Sequence, residues 1–260
     1  MTSKGLFWKM SAESNPQEFS VLFGTIHLSI DEHHLRQKIR RWIDEFDYVY
    51  TETPLNPDGQ SLILPYITVP HTKWGEYFNP TQQRRIAHIL MKAYNIDLVR
   101  VKHLRPMFIM SMIYSHMGDQ GASDKLDQFI WNYAVEQGKA TGGIESIQRQ
   151  VDILKAIPVD LEFIQFRRWI RNVTKMNRYF KSLMQLYLSE DIHQLARQSA
   201  KQMSSIKGLM ITERNEQMVN TILDEHRQHP GFFSFGAGHL GGKDGVLSIL
   251  KKKGFRIERI

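Results

Sequence analysis

The 260-residue chain contains no cysteine. That absence excludes disulfide-stapled scaffolds, thiolate metal centres, iron–sulfur clusters and cysteine nucleophiles, so any metal must be held by His, Asp or Glu. Long hydrophobic runs are missing as well. The longest uncharged, largely apolar run, Pro106 to Gly118, contains Ser111, Ser115 and His116 and is too short to span a bilayer. The opening Met1-Thr2-Ser3-Lys4-Gly5 lacks the basic start, apolar stretch and small-residue cleavage site of a secretion leader. These absences predict a soluble protein with no transmembrane segment, cytoplasmic as the chain stands or extracytoplasmic if a leader was removed. There is also no H-E-x-x-H helix, G-x-S-x-G elbow, P-loop or EF-hand.

Charge of one sign is not concentrated anywhere. The 34 Lys and Arg against 27 Asp and Glu give +7, spread over Lys38–Arg41, Arg84-Arg85, Arg167-Arg168 and Lys251–Lys253. Scattered cations read as solvated faces, and no nucleic-acid partner is expected. Proline and glycine are scarce in the middle of the chain. Between Pro106 and Pro230 the only proline is Pro158, and between Ile144 and Pro230 the only glycine is Gly208. That stretch is expected to be helical. Pro54, Pro57, Pro65, Pro70 and Pro80 instead predict an extended, irregular loop, placed to act as a lid over a neighbouring site.

The apolar pattern supplies the elements. Strands are expected at Leu6–Met10 and Phe19–Ile26, the second apolar on both faces and therefore central. Asp31 is expected to cap a helix running to about Phe46, and Asp47–Glu52 forms the next strand, which suggests a parallel crossover. Met176, Phe180, Leu183 and Tyr187 fall at helical spacing, as do Phe163, Phe166, Ile170 and Val173. After Pro230 come a strand at Phe232–Phe235, a glycine-rich turn over Gly236–Gly242, a helix over Lys243–Lys253 and a strand at Phe255–Ile260. The fold expected is α/β (α+β), one domain over 1–260. A central mixed sheet is built from strands within 6–52 and 232–260, with a large helical insertion over about 80–229.

Two short motifs echo each other. Gly24-Thr25-Ile26-His27 and Gly236-Ala237-Gly238-His239 each place a histidine three residues after a glycine where an apolar strand runs out. Glu52 ends a third strand. Sites in open α/β sheets collect beyond the carboxyl ends of strands. Two imidazoles and a carboxylate there suit Mn, Fe, Co or Zn. The glycines Gly24, Gly236 and Gly238 would admit backbone, water or substrate. Alone, His27 reads first as a strand-end histidine bonded to backbone, and it is the pairing of the two motifs that favours a ligand. Arg214 falls on the apolar side of a helix from about Thr212 to Arg227, where it requires a carboxylate, a phosphate or a developing oxyanion. Asn215 beside it suits positioning of a water or carbonyl. Gly236, Gly238 and Gly241 also match the dinucleotide pattern G-x-G-x-x-G, although His239 occupies the turn where a pyrophosphate would lie. His33-His34, His226 and His229 are expected at the surface.

The order Leu22–His27, Thr51-Glu52-Thr53, Gly143-Ile144-Glu145-Ser146, Glu213-Arg214-Asn215 and Gly236–Leu240 through Gly254–Glu258 resembles the TraB/PrgY/GumN family, to which the Tiki metalloproteases are related. The resemblance implies an α/β fold akin to erythromycin-esterase-like and haem-binding ChaN-like proteins. It also implies a metal-dependent hydrolase, a peptidase above all, acting on a peptide or other small substrate. Under it His27, His239 and Glu52 are metal ligands, Glu52 is alternatively the general base, and Arg214 stabilises an oxyanion or clamps a carboxylate. Gly24, Gly236, Gly238, Asn215 and Glu145 support them. The competing expectation is a non-catalytic protein that captures a peptide, haem or iron in the same pocket. Two departures stand out: many GumN-like members carry a leader, and Ile144 stands where the family more often has leucine.

Overall fold

A computed structural model describes residues 4–26, 32–118, 124–202 and 212–260. Six strands form the sheet: β1 (Phe7–Ala12), β2 (Asn15–Thr25), β3 (Tyr48–Thr51), β4 (Ala140–Gly143), β5 (Gly231–Gly236) and β6 (Phe255–Arg259). They lie in the order β4-β3-β5-β2-β1-β6. β1 runs antiparallel to both its neighbours, while β2–β5, β5–β3 and β3–β4 pair in parallel. The sheet is thus mixed and drawn from both chain ends, as expected.

Thirteen α-helices are described. Chain order gives α1 (His33–Asp44), α2 (Pro57–Ile67), α3 (Lys73–Tyr77), α4 (Pro80–Tyr94), α5 (Leu98–Val101), α6 (Pro106–Gly118) and α7 (Leu126–Glu136). Then come α8 (Ile147–Ala156), α9 (Val159–Ile170), α10 (Val173–Leu188), α11 (Ile192–Gln202), α12 (Glu213–Gln228) and α13 (Val246–Lys252).

β5 sits at the centre because its sequence, Gly-Phe-Phe-Ser-Phe-Gly, has no polar face to offer water. Phe232, Phe233 and Phe235 are fully buried, as are Val21, Leu22 and Phe23 of β2 beside them. A sheet apolar on both faces needs helices on both. Two apolar clusters result. One joins the sheet to α1, α7, α12 and α13; the other gathers Trp74, Leu90, Ile109, Phe163 and Phe166 among the inserted helices. Met176, Phe180 and Tyr187 are buried on α10 as their spacing predicted.

Several expectations are corrected. The proline-rich stretch is not a loop but holds α2 and α3, with Pro57 in the first turn, where a missing N–H costs nothing. Helix therefore begins before residue 80, and the inserted region also contains β4, whose Ala-Thr-Gly-Gly is too short and too weakly apolar to read as a strand. β2 and β3 are parallel but not adjacent, since β5 lies between them. Likewise β5 and β6 are separated by two strands, so the last strand–helix–strand is not a local dinucleotide unit. A Cβ on Gly238 would stand 2.7 Å from Ser199 Oγ, and one on Gly241 2.5 Å from the Ile192 carbonyl. α11 fills the space a pyrophosphate would need. The presumed cap Asp31 lies outside the described residues.

His226 is buried rather than exposed. Its Nδ1 meets Ser20 Oγ at 2.8 Å, and that oxygen also accepts from the Gly231 N–H at 3.0 Å, so the side-chain pair ties β2 to α12 and the start of β5. Burial pushes its pKa below the ordinary 6.5. The unfolded chain therefore takes up this proton first as pH falls, and stability present above pH 6.5 is lost below it. Urea unfolding midpoints measured from pH 8 to pH 5 are expected to fall through that window in the native chain and to fall less in His226→Gln.

Candidate active site at the strand carboxyl ends

Four adjacent parallel strands deliver their carboxyl ends to one edge. β2 ends at Thr25, which pairs with Gly236 at the end of β5, so the two glycine–histidine motifs depart from neighbouring parallel strands, offset by one residue. On the other side of β5, β3 runs into Glu52, and β4 into Ile144 and Glu145. The Ile144 and Glu145 N–H groups donate to the carbonyls of Thr51 and Glu52, at 2.9 and 2.8 Å, which continues the ladder past the strands. Leaving β5, residues Ala237–His239 turn through one short 3₁₀ segment.

Gly24 is where a close approach requires glycine. A Cβ there would stand 2.5 Å from Leu240 Cδ1 and 3.0 Å from Ala237 Cα, so it admits the turn carrying His239 rather than a ligand. The Tyr187 hydroxyl donates to the Gly24 carbonyl at 2.9 Å, and Thr25 Oγ1 donates to Asp127 at 2.7 Å. These two bonds hold the β2 end from which the chain proceeds to His27; His27 itself lies outside the described residues. In the sequence Tyr187 reads only as a member of a core stripe and Asp127 carries no signal, since nothing local distinguishes them from an ordinary core tyrosine and an acidic helix start.

Arg214 is the centre of the arrangement. It projects from the first turn of α12, inward as its spacing predicted, and is 5% exposed. Its Nε and Nη2 donate to the two oxygens of Glu145 at 2.9 and 2.6 Å, and Nη2 also donates to Glu52 Oε1 at 2.5 Å. Burial alone would lower the guanidinium pKa, but the Glu52 and Glu145 carboxylates outweigh it and raise it above the ordinary value. The second oxygen of Glu52 accepts from the Gly236 N–H at 2.9 Å, and Gln150 donates to Glu145 Oε2 at 2.7 Å. Glu145, expected only to support the site, is as tightly held as Glu52.

His239 is oriented from behind. Asn215 Nδ2 donates to the Asp244 carbonyl at 2.6 Å, which turns its Oδ1 toward His239 Nδ1, also at 2.6 Å. An amide oxygen only accepts, so Nδ1 carries a proton, and in the neutral ring the lone pair is then on Nε2. Glu52 Oε2 and His239 Cδ2 both lie within 3.5 Å of where a Gly236 Cβ would stand. The glycine thus keeps open the space between carboxylate and imidazole.

These donors suit a divalent cation in kind. Two carboxylates against one guanidinium leave a net negative site, and an imidazole fixed through Nδ1 presents Nε2 in the way ligating histidines do. Among the described residues no group of three or more His, Asp or Glu side chains is arranged to hold a metal ion. Glu52 and His239 are the two candidate donors present, and the third expected donor, His27, is not described.

The fold and the site together define an α/β protein with a carboxylate, guanidinium and imidazole cluster at its parallel strand ends. The chain belongs to the TraB/PrgY/gumN family, whose sequence profile matches residues 6–259. It is similar to a metalloprotease TIKI homolog of Nematostella vectensis, 24% identical over 191 residues, 60% of this chain and 40% of that protein. Metalloprotease TIKI2 of Danio rerio is 24% identical over 59% of this chain and 36% of its own length. Metalloprotease TIKI1 of the same species is 22% identical over 92% of this chain and 60% of its own. The chain therefore matches less than two thirds of the length of each of these relatives. No solved structure matches the chain. Among the described residues no helix is long and apolar enough to cross a membrane.

Arg214→Met would leave two buried carboxylates facing each other without their cation. A loss of about 3–5 kcal/mol is expected, read from urea unfolding at neutral pH, with part of it restored when Glu145→Gln is added.

Proposed function

We propose that this protein is a metal-dependent peptidase working at the carboxyl ends of β2, β5 and β3. The observation that supports the reading most directly is the convergence of Glu52 and His239 on the space kept open by Gly236, with His239 held through Nδ1 by Asn215. Membership of the family and the metalloprotease names of the similar proteins support it further.

In this reading His27, His239 and Glu52 would hold a divalent cation, Mn²⁺ or Co²⁺ before Zn²⁺ or Fe²⁺. When bound, such an ion polarises a scissile carbonyl and makes its water a nucleophile at neutral pH. The chain's own residues do the rest. Asn215 fixes the tautomer and direction of His239. Arg214 and the Gly236 N–H each bind one oxygen of Glu52 and set the plane of its carboxylate. Glu145 holds Arg214 by two bonds and keeps its charge next to Glu52, where it is the nearest cation for an oxyanion or a substrate carboxylate. Glu52 serves either as ligand or as the base that accepts a proton from water. The domain is the whole of 1–260, because the groups come from both chain ends.

Metal content and hydrolysis of a fluorogenic peptide mixture, measured with Mn²⁺, Co²⁺ and Zn²⁺, test the reading. Hydrolysis is expected only in the metal-loaded protein and is expected to be lost in His239→Ala and Glu52→Gln. If Glu52→Gln keeps its metal the residue is the base; if it loses the metal it is a ligand. Asn215→Leu is expected to weaken metal affinity by about 10–100-fold while the fold is retained. Metal-independent peptide binding that survives His27→Ala and His239→Ala would sink the enzyme reading in favour of a binding protein.

A further inference from the structure

Positive charge is the property of the sequence that the proposed chemistry leaves unused. On α11, His193, Arg197 and Lys201 recur every four residues and so lie along one face, about 12 Å from first to last at 1.5 Å per residue. Each end of this stripe opens into a cavity. His193 and Arg197 line one of about 250 Å³ together with Gly238 and Lys243 of the turn that carries His239. Lys201 lines another of about 560 Å³, shared with Arg168 of α9 and Lys175 of α10.

Three observations say what these cavities suit. First, among the described residues none of Arg197, Lys201, Arg168 and Lys175 forms an ion pair, and the larger cavity, with Arg168, Lys175 and Lys201 in its wall, has no acidic residue in its lining, whereas Asp244 lines the smaller one. Second, the larger cavity is walled by the rings of Trp169 and Tyr179, set edge to face at 5.9 Å, over buried Met176. Its volume falls in the range that accepts an aromatic or long apolar group. Third, Gln198 Oε1, on the same wall, is buried without a hydrogen-bond partner. A carbonyl oxygen asks for a donor, which a peptide N–H provides and an ionised phosphodiester does not.

We propose that α11 and the two cavities bind an acidic peptide segment, extended along the helix, with an aromatic side chain packed against the Trp169–Tyr179 pair and carboxylates on the basic stripe. The 12 Å track corresponds to about four residues of extended chain. This rests on the peptidase reading for its meaning: the smaller cavity shares its turn with His239, so the segment is the flank of the substrate beyond the bond to be cut.

Fluorescence anisotropy with the full chain tests it, using fluorescein-labelled Glu-Asp-Glu-Phe-Asp-Glu and its neutral counterpart Gln-Asn-Gln-Phe-Asn-Gln. The acidic peptide is expected to bind at least about tenfold more tightly, with affinity falling as salt is added. Arg197→Glu with Lys201→Glu is expected to remove that preference, whereas Lys252→Glu, the same kind of charge change on α13, keeps it; circular dichroism checks that both variants fold. Equal affinity for the two peptides, indifference to the α11 reversal, or tighter binding of a single-stranded oligonucleotide of equal charge would overturn the proposal. Hydrolysis of a neutral peptide by the metal-loaded protein, followed in parallel, reports on the peptidase reading alone. Charge-selective binding without any hydrolysis would leave the acidic-peptide surface standing and remove the peptidase.

Discussion

The buried guanidinium of Arg214 is the interaction on which the rest of the molecule is organised. A cation at 5% exposure persists only if its charge is matched and its donors are used. Glu145 and Glu52 meet both conditions, and they do so from residues just beyond two different strands. One side chain from α12 therefore holds the ends of β3 and β4 in place. The same contact turns the carboxylate of Glu52 so that its other oxygen meets the backbone of β5. Taking Arg214 away leaves two buried carboxylates without their cation, which explains why a site of this kind is also a structural element.

Strand order explains how residues so distant in sequence meet. β5, contributed by the last part of the chain, inserts between β2 and β3 from the first part. The His239 turn and Glu52 thereby leave neighbouring strands on the same edge. Gly24 allows the turn to pack directly on β2 through Leu240, and Tyr187 and Asp127 secure the β2 end from the helical side. The inserted helices thus serve two purposes: they cover the sheet, and through α11 they place a basic face beside the same turn.

Much of this was legible in the residues. Its apolar run marked β2 as central, because only strands covered on both faces can lack polar residues, and a short apolar run marked β5 as a strand. Helical periodicity put Arg214 on the inward side of α12. The recurrence of a glycine three residues before a histidine pointed to the strand ends. Other elements carried no such signal. β4 has a polar, glycine-ending sequence that only its pairing with β3 makes a strand, and the prolines of 54–80 read as breakers although Pro57 sits where a helix tolerates one. His226 looked like a helix-end cation and is instead a buried hydrogen-bond partner of Ser20, because the side of α12 it lies on faces the sheet.

By itself the sequence determined the class of fold, the candidate histidines and carboxylates, and the exclusion of thiolate chemistry, since these follow from local spacing and from which side chains exist. Only the tertiary structure decided that Arg214 is shared between Glu52 and Glu145, that Asn215 sets the ring of His239, and that the scattered cations of α9, α10 and α11 face one track. The physical reason is the same in each case. Pairing of charges and fixing of hydrogen-bond direction depend on distances of about 3 Å between residues that are dozens to hundreds of positions apart, and no local pattern encodes them.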